Sequence, residues 1–197
     1  MRTPNDYIRI PAVADPSKPT SMASVTWMLI LTIAVLGATL TLSCVTPFAA
    51  LAVALAETVG LRASLRIVTV VWLANQIVGF VFFHFPHTAN TFLWGIAIGG
   101  AALVTTIIAS VVMKYGSIWA SPLRIGITLL VAFGVFEISL LIAALSLGGL
   151  ETFRPAIVGQ LAFVNVISLA GMVVLNEIVV ALGKPWLGRM PRLVESS

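Results

Sequence analysis

The sequence predicts an all-α membrane protein, a polytopic bundle of six transmembrane helices with both termini in the cytoplasm. Three observations predict this class: the composition, the lengths of the apolar segments and the placement of basic residues. Of the 197 residues, 59% are hydrophobic and only 9% are charged, whereas a soluble domain carries about 25% charged residues. So few charges cannot cover a water-facing surface, so the bilayer must be the solvent.

The apolar segments set the helices in order along the chain. The run from Val25 to Ala56 is too long for one crossing of a ~30 Å hydrocarbon core. Pro47 divides it, because proline lacks an amide donor and disfavours helix in the residue before it. The predicted spans are 25–44, 47–59 (a short second helix), 65–85, 91–113, 124–147 and 157–182. The transmembrane domain thus covers 25–182, between a disordered cytoplasmic tail, 1–24, and a second cytoplasmic tail, 183–197.

The basic residues predict the orientation. With the N-terminus inside, 10 of the 11 Lys and Arg residues fall on the cytoplasmic side, and Arg154 alone falls outside. Membrane proteins keep Lys and Arg in their cytoplasmic loops. If the short second span did not cross, Arg62 and Arg66 would lie outside, so the charges favour six crossings. The net charge of +4 reflects this topology, and no basic, aromatic-interleaved stripe suggests nucleic-acid binding.

Four polar side chains lie at membrane depth: Asn75 and Gln76 in the third span, Glu137 in the fifth and Asn165 in the sixth. A carboxylate at the bilayer centre costs about 2.5–3.5 kcal/mol on insertion scales, so Glu137 must face the bundle or a wet cavity. Two interpretations stay open. These groups either hydrogen-bond between helices, at about 0.6 kcal/mol each, or line a ligand cavity or proton path.

A second polar set falls on the outer side and comprises Cys44, His84, His87, Arg154 and Gln160. Cysteine and histidine are ligands for borderline and soft metals, so Cys44, His84 and His87 are candidate metal ligands. The two histidines match no known metal motif, however, and interface residues are the alternative. Arg154, as the one outer cation, either pairs with Glu151 or binds an anionic ligand group through bidentate hydrogen bonds.

Small residues recur at four-residue spacing, which lets membrane helices approach closely. The clearest repeats are Ala34-x-x-x-Ala38, Ala50-x-x-x-Ala54 and Gly95-x-x-x-Gly99. They indicate either packing within one bundle or docking onto another membrane protein, and the four alanines are the candidate partner interface. Motifs of hydrolases, zinc proteases and nucleotide-binding enzymes are absent, so we expect neither an enzyme nor a bound cofactor.

By length, by six spans with both termini inside, by the short second element and by Ala34-x-x-x-Ala38, the chain resembles the S component, the substrate-binding membrane subunit, of energy-coupling factor vitamin transporters. The likeness covers residues 25–182. It extends to the solitary members of that family, which work without the usual coupling module. It implies that the alanine motif faces a transmembrane coupling subunit and that a ligand binds near the outer surface. A cobalamin-binding member would use Cys or His as a cobalt ligand, so the resemblance also admits a cobalt-containing substrate. No substrate-specific motif of the family is matched.

We therefore expect a multi-pass protein of the cell membrane, typical of a bacterial inner membrane, that takes up a small vitamin-like or metal-containing solute. Its expected partners are the lipid bilayer, the solute, and a coupling subunit or a second copy of the chain. One alternative is a structural or accessory subunit of a larger membrane complex with no ligand of its own. Another is a membrane enzyme or metal-handling protein that uses Glu137 and the outer Cys and His residues.

Overall fold

The computed structural model describes residues 46–118 and 120–187, and from residue 176 onward it describes the backbone alone. Within these ranges the chain is helical and contains no strand. The helices are α1 (Phe48–Thr58), α2 (Leu61–Val81), α3 (Ala89–Tyr115), α4 (Ser121–Leu147) and α5 (Pro155–Leu187). Two 3₁₀ turns, Gly116–Ile118 and Leu150–Phe153, precede α4 and α5. The predicted first span, 25–44, and both tails lie outside the described residues.

Four of these helices, α2 to α5, are long and apolar enough to cross a membrane. The all-helical class is therefore confirmed for this part of the chain, and these four helices are compatible with an integral membrane protein. The third span is shifted: the sequence predicted 65–85, whereas α2 begins at Leu61, directly after Gly60, and ends at Val81. Arg62 and Arg66 thus belong to the helix itself, where long basic side chains extend toward the interface from an apolar segment.

The short helix α1 lies in the middle of the bundle. It has 11 residues, about 16 Å, which is half of a ~30 Å hydrocarbon core. Its side chains from Phe48 to Leu55 are all buried, and it packs against all four long helices. The predicted span over 47–59 corresponds to this helix, with Pro47 at its N-cap and a turn at Gly60. A helix of this length is either a thin, tilted crossing or a half-helix, so the full crossing stays a prediction.

The alanines of α1 explain this central position. Ala50 and Ala54 are 0% and 8% exposed, so their small side chains let the surrounding helices come close. At the start of α1, the ring of Phe48 packs on Phe136 of α4, with the ring centroids 5.9 Å apart. The sequence assigned Ala50 and Ala54 to a partner interface, but a second protein cannot reach them unless the bundle opens. Ala34 and Ala38 lie outside the described residues.

The Gly95-x-x-x-Gly99 motif packs α3 against α2. A Cβ atom on Gly99 would lie 2.6 Å from Cε2 of Trp72, and one on Gly95 would lie 2.6 Å from Oε1 of Gln76. Trp72 also donates a hydrogen bond of 2.8 Å from Nε1 to the Gly95 carbonyl oxygen. Of the two interpretations of this repeat, the described residues therefore favour packing within one bundle.

The helix ends define two faces of the molecule. Glu57 near the end of α1, the start of α2, the end of α3 and the start of α4 share one face, joined by the ion pair of Glu57 with Arg124 at 2.8 Å. The turns 82–88 and 148–154 form the other face. Four described cations lie at the first face, namely Arg62, Arg66, Lys114 and Arg124, whereas Arg154 lies at the second. We call these the inner and outer faces, following the predicted orientation.

Candidate functional site

The N-terminus of α1 is the point where polar groups from three helices meet inside the bundle. Asn165 of α5 accepts a hydrogen bond of 3.0 Å at Oδ1 from the backbone N–H of Ala50. Thr46 donates one of 2.9 Å from Oγ1 to Oδ1 of Asn75 in α2. Asn165 also donates from Nδ2 to the Leu161 carbonyl oxygen at 3.0 Å. We name Thr46, Asn75, Asn165 and the first turn of α1 the mid-bundle polar cluster.

The cluster exists because α1 begins inside the protein. The first amide groups of any helix lack partners within that helix, and Ala50 is the third residue of α1. In water such a group is solvated, but at 0% exposure it needs a protein partner, because an unpaired buried amide costs about 1–3 kcal/mol. Asn165 supplies the capping oxygen from another helix.

The depth of the cluster follows from helix geometry. Asn165 is ten residues after Pro155 at the outer end of α5, which corresponds to about 15 Å. Asn75 is six residues before Val81 at the outer end of α2, or about 9 Å. Since α1 continues from this level to Glu57 at the inner face, its N-terminal end points toward the outer half of the membrane.

Glu137 lies at a similar level. Its chain neighbour Phe136 packs on Phe48, the first residue of α1. The side chain of Glu137 is half-buried and forms no hydrogen bond or ion pair with a described residue. Three of the predicted ligand residues, Asn75, Glu137 and Asn165, are thus at the level where α1 begins.

Gln76 belongs to a different contact. Its side-chain oxygen lies against Gly95 of α3, on the side of α2 that also carries the Trp72 contact. It is half-buried and sits between two long helices. Gln76 therefore does not join the mid-bundle polar cluster in this structure, although it neighbours Asn75 in sequence.

Arg154 and Gln160 lie near the outer end of α5, and both are exposed. The backbone carbonyl of Arg154 accepts hydrogen bonds from the N–H groups of Ile157 and Val158 at 2.9 and 3.1 Å, which begins the helix. Its guanidinium forms no ion pair with Glu151, since the one ion pair among the described residues joins Glu57 and Arg124. Of the two roles predicted for Arg154, pairing with Glu151 is therefore not realised here.

The two histidines lie in the turn between α2 and α3, where His87 belongs to an aromatic cluster. The His87 ring lies 5.3 Å from Phe80, and Phe80 stacks on Phe92 at 4.9 Å. His84 has a positive φ of 52°, and its Nδ1 lies 3.1 Å from the Phe82 carbonyl oxygen. Both histidines are exposed.

A metal site at these histidines is not assembled from the described residues, among which no three His, Cys, Asp or Glu side chains form a group. Cys44, the third predicted ligand, lies outside the described residues. Metal contact therefore stays a prediction for this set.

Among the cavities that described residues line are the following two, and neither is bordered by Arg154. One lies near the inner face between α1, α4 and α5, has a volume of about 360 Å³, and is bordered by Glu57, Thr58 and Ser121. The other, about 260 Å³, is an apolar groove on the surface between α2 and α3. The outer polar residues and the mid-bundle polar cluster share neither of these cavities.

Sequence reasoning missed two contacts of this region. The Glu57–Arg124 pair joins residues 67 positions apart, with both carboxylate oxygens 2.8 and 3.0 Å from Nη2. Thr46 had a local signal, because it is a hydroxyl residue at the break of a long apolar run, directly before Pro47. Spacing along the chain does not indicate that Glu57 pairs with Arg124, or that Thr46 pairs with Asn75.

Comparison with known proteins found no matching family model, no matching curated protein and no matching solved structure.

Proposed function

We propose that this chain is an integral membrane transport protein that takes up a small solute through a site open to the outer face. The observation that carries the proposal is the start of α1 inside the bundle, directly after Pro47: Asn165 accepts a hydrogen bond from the Ala50 amide in the first turn, and Asn75 accepts one from Thr46 just before the helix. Discontinuous helices whose ends lie near the bilayer centre are a recurring element of solute sites in transporters.

The polar residues at this depth support the same proposal. A half-buried carboxylate such as Glu137 is expensive inside a membrane and faces a partner, a cavity or an ion path. Together with the amides of Asn75 and Asn165, it provides hydrogen-bond acceptors and donors at the level where α1 begins. The solute would reach them through the outer half of the bundle, past Gln160 and Arg154 at the rim.

The proposed solute class is a vitamin-like molecule with an anionic group. Arg154 is the single basic residue on the predicted outer side, and its exposed guanidinium suits a carboxylate or phosphate by bidentate contact. The likeness to S components of energy-coupling factor transporters adds a cobalt-containing vitamin as one member of this class, with Cys44, His84 and His87 as its candidate ligands. A coupling subunit would then dock at Ala34 and Ala38.

Uptake by intact cells tests this function. Bacteria that lack their own vitamin uptake systems would express the chain alone, and the accumulation of a panel of radiolabelled vitamins, cobalamin included, would be compared with cells carrying an empty vector. We expect one compound to accumulate above the vector level. If no compound is taken up or binds to the purified protein, the accessory-subunit alternative is favoured instead.

Substitutions then assign the residues. Arg154→Gln should raise the KM for uptake of an anionic solute about tenfold or more, since a charge-assisted bidentate contact contributes about 1.5–3 kcal/mol. Glu151→Gln, three residues away and also exposed, is the matched control and should change KM little. Glu137→Gln should abolish transport if the carboxylate binds a proton or cation, and should have little effect if it only joins helices.

The metal-ligand idea has its own test. Replacement of both His84 and His87 by alanine should weaken binding of a cobalt-containing solute while leaving binding of a metal-free analogue unchanged. Unchanged affinity for both compounds would remove the histidines from the site and leave them as interface residues.

A further inference from the structure

The groove between α2 and α3 is an apolar channel on the surface of the described helices. Trp72 and Thr69 border it on α2, and Ile96, Gly100 and Leu103 border it on α3. Gly100 leaves it open, because a Cβ atom there would meet nothing within 4 Å. The groove therefore has the shape of a channel with room for a hydrocarbon chain.

The groove has no free polar group to offer to a polar ligand. The hydroxyl of Thr69 donates to the Leu65 carbonyl oxygen at 2.8 Å. The indole N–H of Trp72 donates to the Gly95 carbonyl oxygen at the same distance. Since both donors are used within the protein, only apolar contact remains, which suits a hydrocarbon chain.

Basic residues lie beyond the end of the groove that is nearer to the inner face. Arg62 precedes Thr69 by seven residues, and Lys114 follows Leu103 by eleven. These intervals are two and three helical turns, so each cation lies on the same side of its helix as the groove. Arg66 lies one turn from Arg62, toward the exposed Val70, and all three cations are exposed.

These cations have no acidic partner among the described side chains. In the part of the chain that the structure describes, the carboxylate at the inner face is that of Glu57, which is paired with Arg124. The cavity near the inner face that Glu57 borders is larger than the α2–α3 groove, but the charge beside it is balanced by this ion pair. Among the described side chains, the cations beyond the end of the α2–α3 groove therefore have no acid to balance their charge.

We propose that the α2–α3 groove binds an anionic phospholipid of the cytoplasmic leaflet, with an acyl chain along Trp72 and Gly100 and the phosphate between Arg62 and Lys114. Basic pockets between membrane helices on the cytoplasmic side select anionic head groups in this way. The long basic side chains extend from apolar segments to the phosphate level. An acidic protein partner fits less well, because the groove is flanked by exposed lipid-facing side chains such as Val104, which is 47% exposed.

Native mass spectrometry of the full chain tests the proposal. The protein would be equilibrated with mixed micelles of phosphatidylglycerol and phosphatidylcholine of equal acyl composition, and the retained lipids counted. We expect one phosphatidylglycerol to be retained in preference to phosphatidylcholine. Arg62→Gln and Lys114→Gln should each lower that preference about fivefold, since one basic residue near the surface contributes about 1 kcal/mol.

Two matched controls separate the parts of the site. Arg62→Lys keeps the positive charge at the end of the groove and should leave the preference largely unchanged. Gly100→Leu fills the groove without altering any charge and should reduce lipid retention, whereas Gly126→Leu, at an exposed position of α4 where a Cβ atom also meets nothing within 4 Å, should not.

Several results would overturn the proposal. Equal retention of both lipids by the unmodified protein, or an unchanged preference in Arg62→Gln and Lys114→Gln, removes the anionic site. If the charge variants act but Gly100→Leu folds and retains phosphatidylglycerol fully, the acyl chain does not occupy the groove and the proposal fails in that form. If Gly100→Leu does not fold, the lipid preference of Arg62→Gln and Lys114→Gln decides whether the proposal stands.

Discussion

Replacement of Gly99 by alanine would place a methyl group inside the volume of the Trp72 indole. The new Cβ atom would lie 2.6 Å from Cε2, 2.8 Å from Nε1 and 2.9 Å from Cδ2, whereas ordinary contact begins near 3.4 Å. The rigid ring must therefore move. That motion strains the 2.8 Å hydrogen bond that Nε1 of Trp72 donates to the Gly95 carbonyl oxygen.

Two terms set the size of the effect. Overpacking of a tight contact costs about 1–3 kcal/mol, and the loss of a hydrogen bond adds about 1 kcal/mol. Alanine also favours helix over glycine by about 1 kcal/mol. The neighbouring substitution Gly100→Ala gains the same propensity but meets no atom within 4 Å. Comparison of the two variants therefore isolates the Trp72 contact, at about 2–4 kcal/mol.

Thermal unfolding in a fixed detergent, followed by far-UV circular dichroism, measures this difference. For a chain of 197 residues, we expect Gly99→Ala to melt roughly 5–15 °C below Gly100→Ala. Equal melting temperatures for the two variants would refute the packing of Trp72 on Gly99.

Three further outcomes follow from individual contacts. Asn165→Leu should lower the free energy of unfolding by about 1–3 kcal/mol, because the Ala50 amide is left unpaired; Phe163→Leu, at a position of the same helix that is 63% exposed, is the control and should lose less in the same melts, and equal losses would remove the capping role. A double-mutant cycle of Glu57→Gln and Arg124→Gln should give a coupling below about 1 kcal/mol that shrinks in high salt, as for other partly exposed pairs; a large coupling insensitive to salt would contradict this. His84→Gly should melt above His84→Ala, since φ at this position is 52° and a left-handed residue other than glycine costs about 1 kcal/mol; identical melting would mean that the backbone there relaxes.

Apolar composition and run length were sufficient to predict the four long helices. Four of the predicted spans correspond to α2 to α5, because membrane length and backbone hydrogen bonding leave few alternatives. The position of α1 was harder to predict. Pro47 marked the break and charge placement favoured a full crossing, whereas the length of the helix, 11 residues, is about half of what a straight crossing needs.

The sequence was sufficient to predict which polar residues belong to the site, but not which groups they contact. Asn75 and Asn165 were identified as polar residues at membrane depth, and both interpretations of them were open. Their actual partners, Thr46 and the Ala50 amide, lie 29 and 115 positions away in the chain. Helical periodicity indicates which face a residue occupies, but it does not identify the helix that faces it, so such pairs follow only from the packed bundle.

The accessibility of Asn75 from the outer face tests the central claim, that a wet solute site opens above the start of α1. With Cys44, the only cysteine, replaced by serine, Asn75→Cys would be exposed to a membrane-impermeant maleimide added to intact cells. Ile77→Cys is the control, because Ile77 is 61% exposed on the apolar surface of the same helix and a thiol in lipid does not react. We predict labelling of Asn75→Cys from outside and none of Ile77→Cys. Labelling of neither residue, or of Asn75→Cys only from the cytoplasmic side of inverted vesicles, would contradict an outward-facing site.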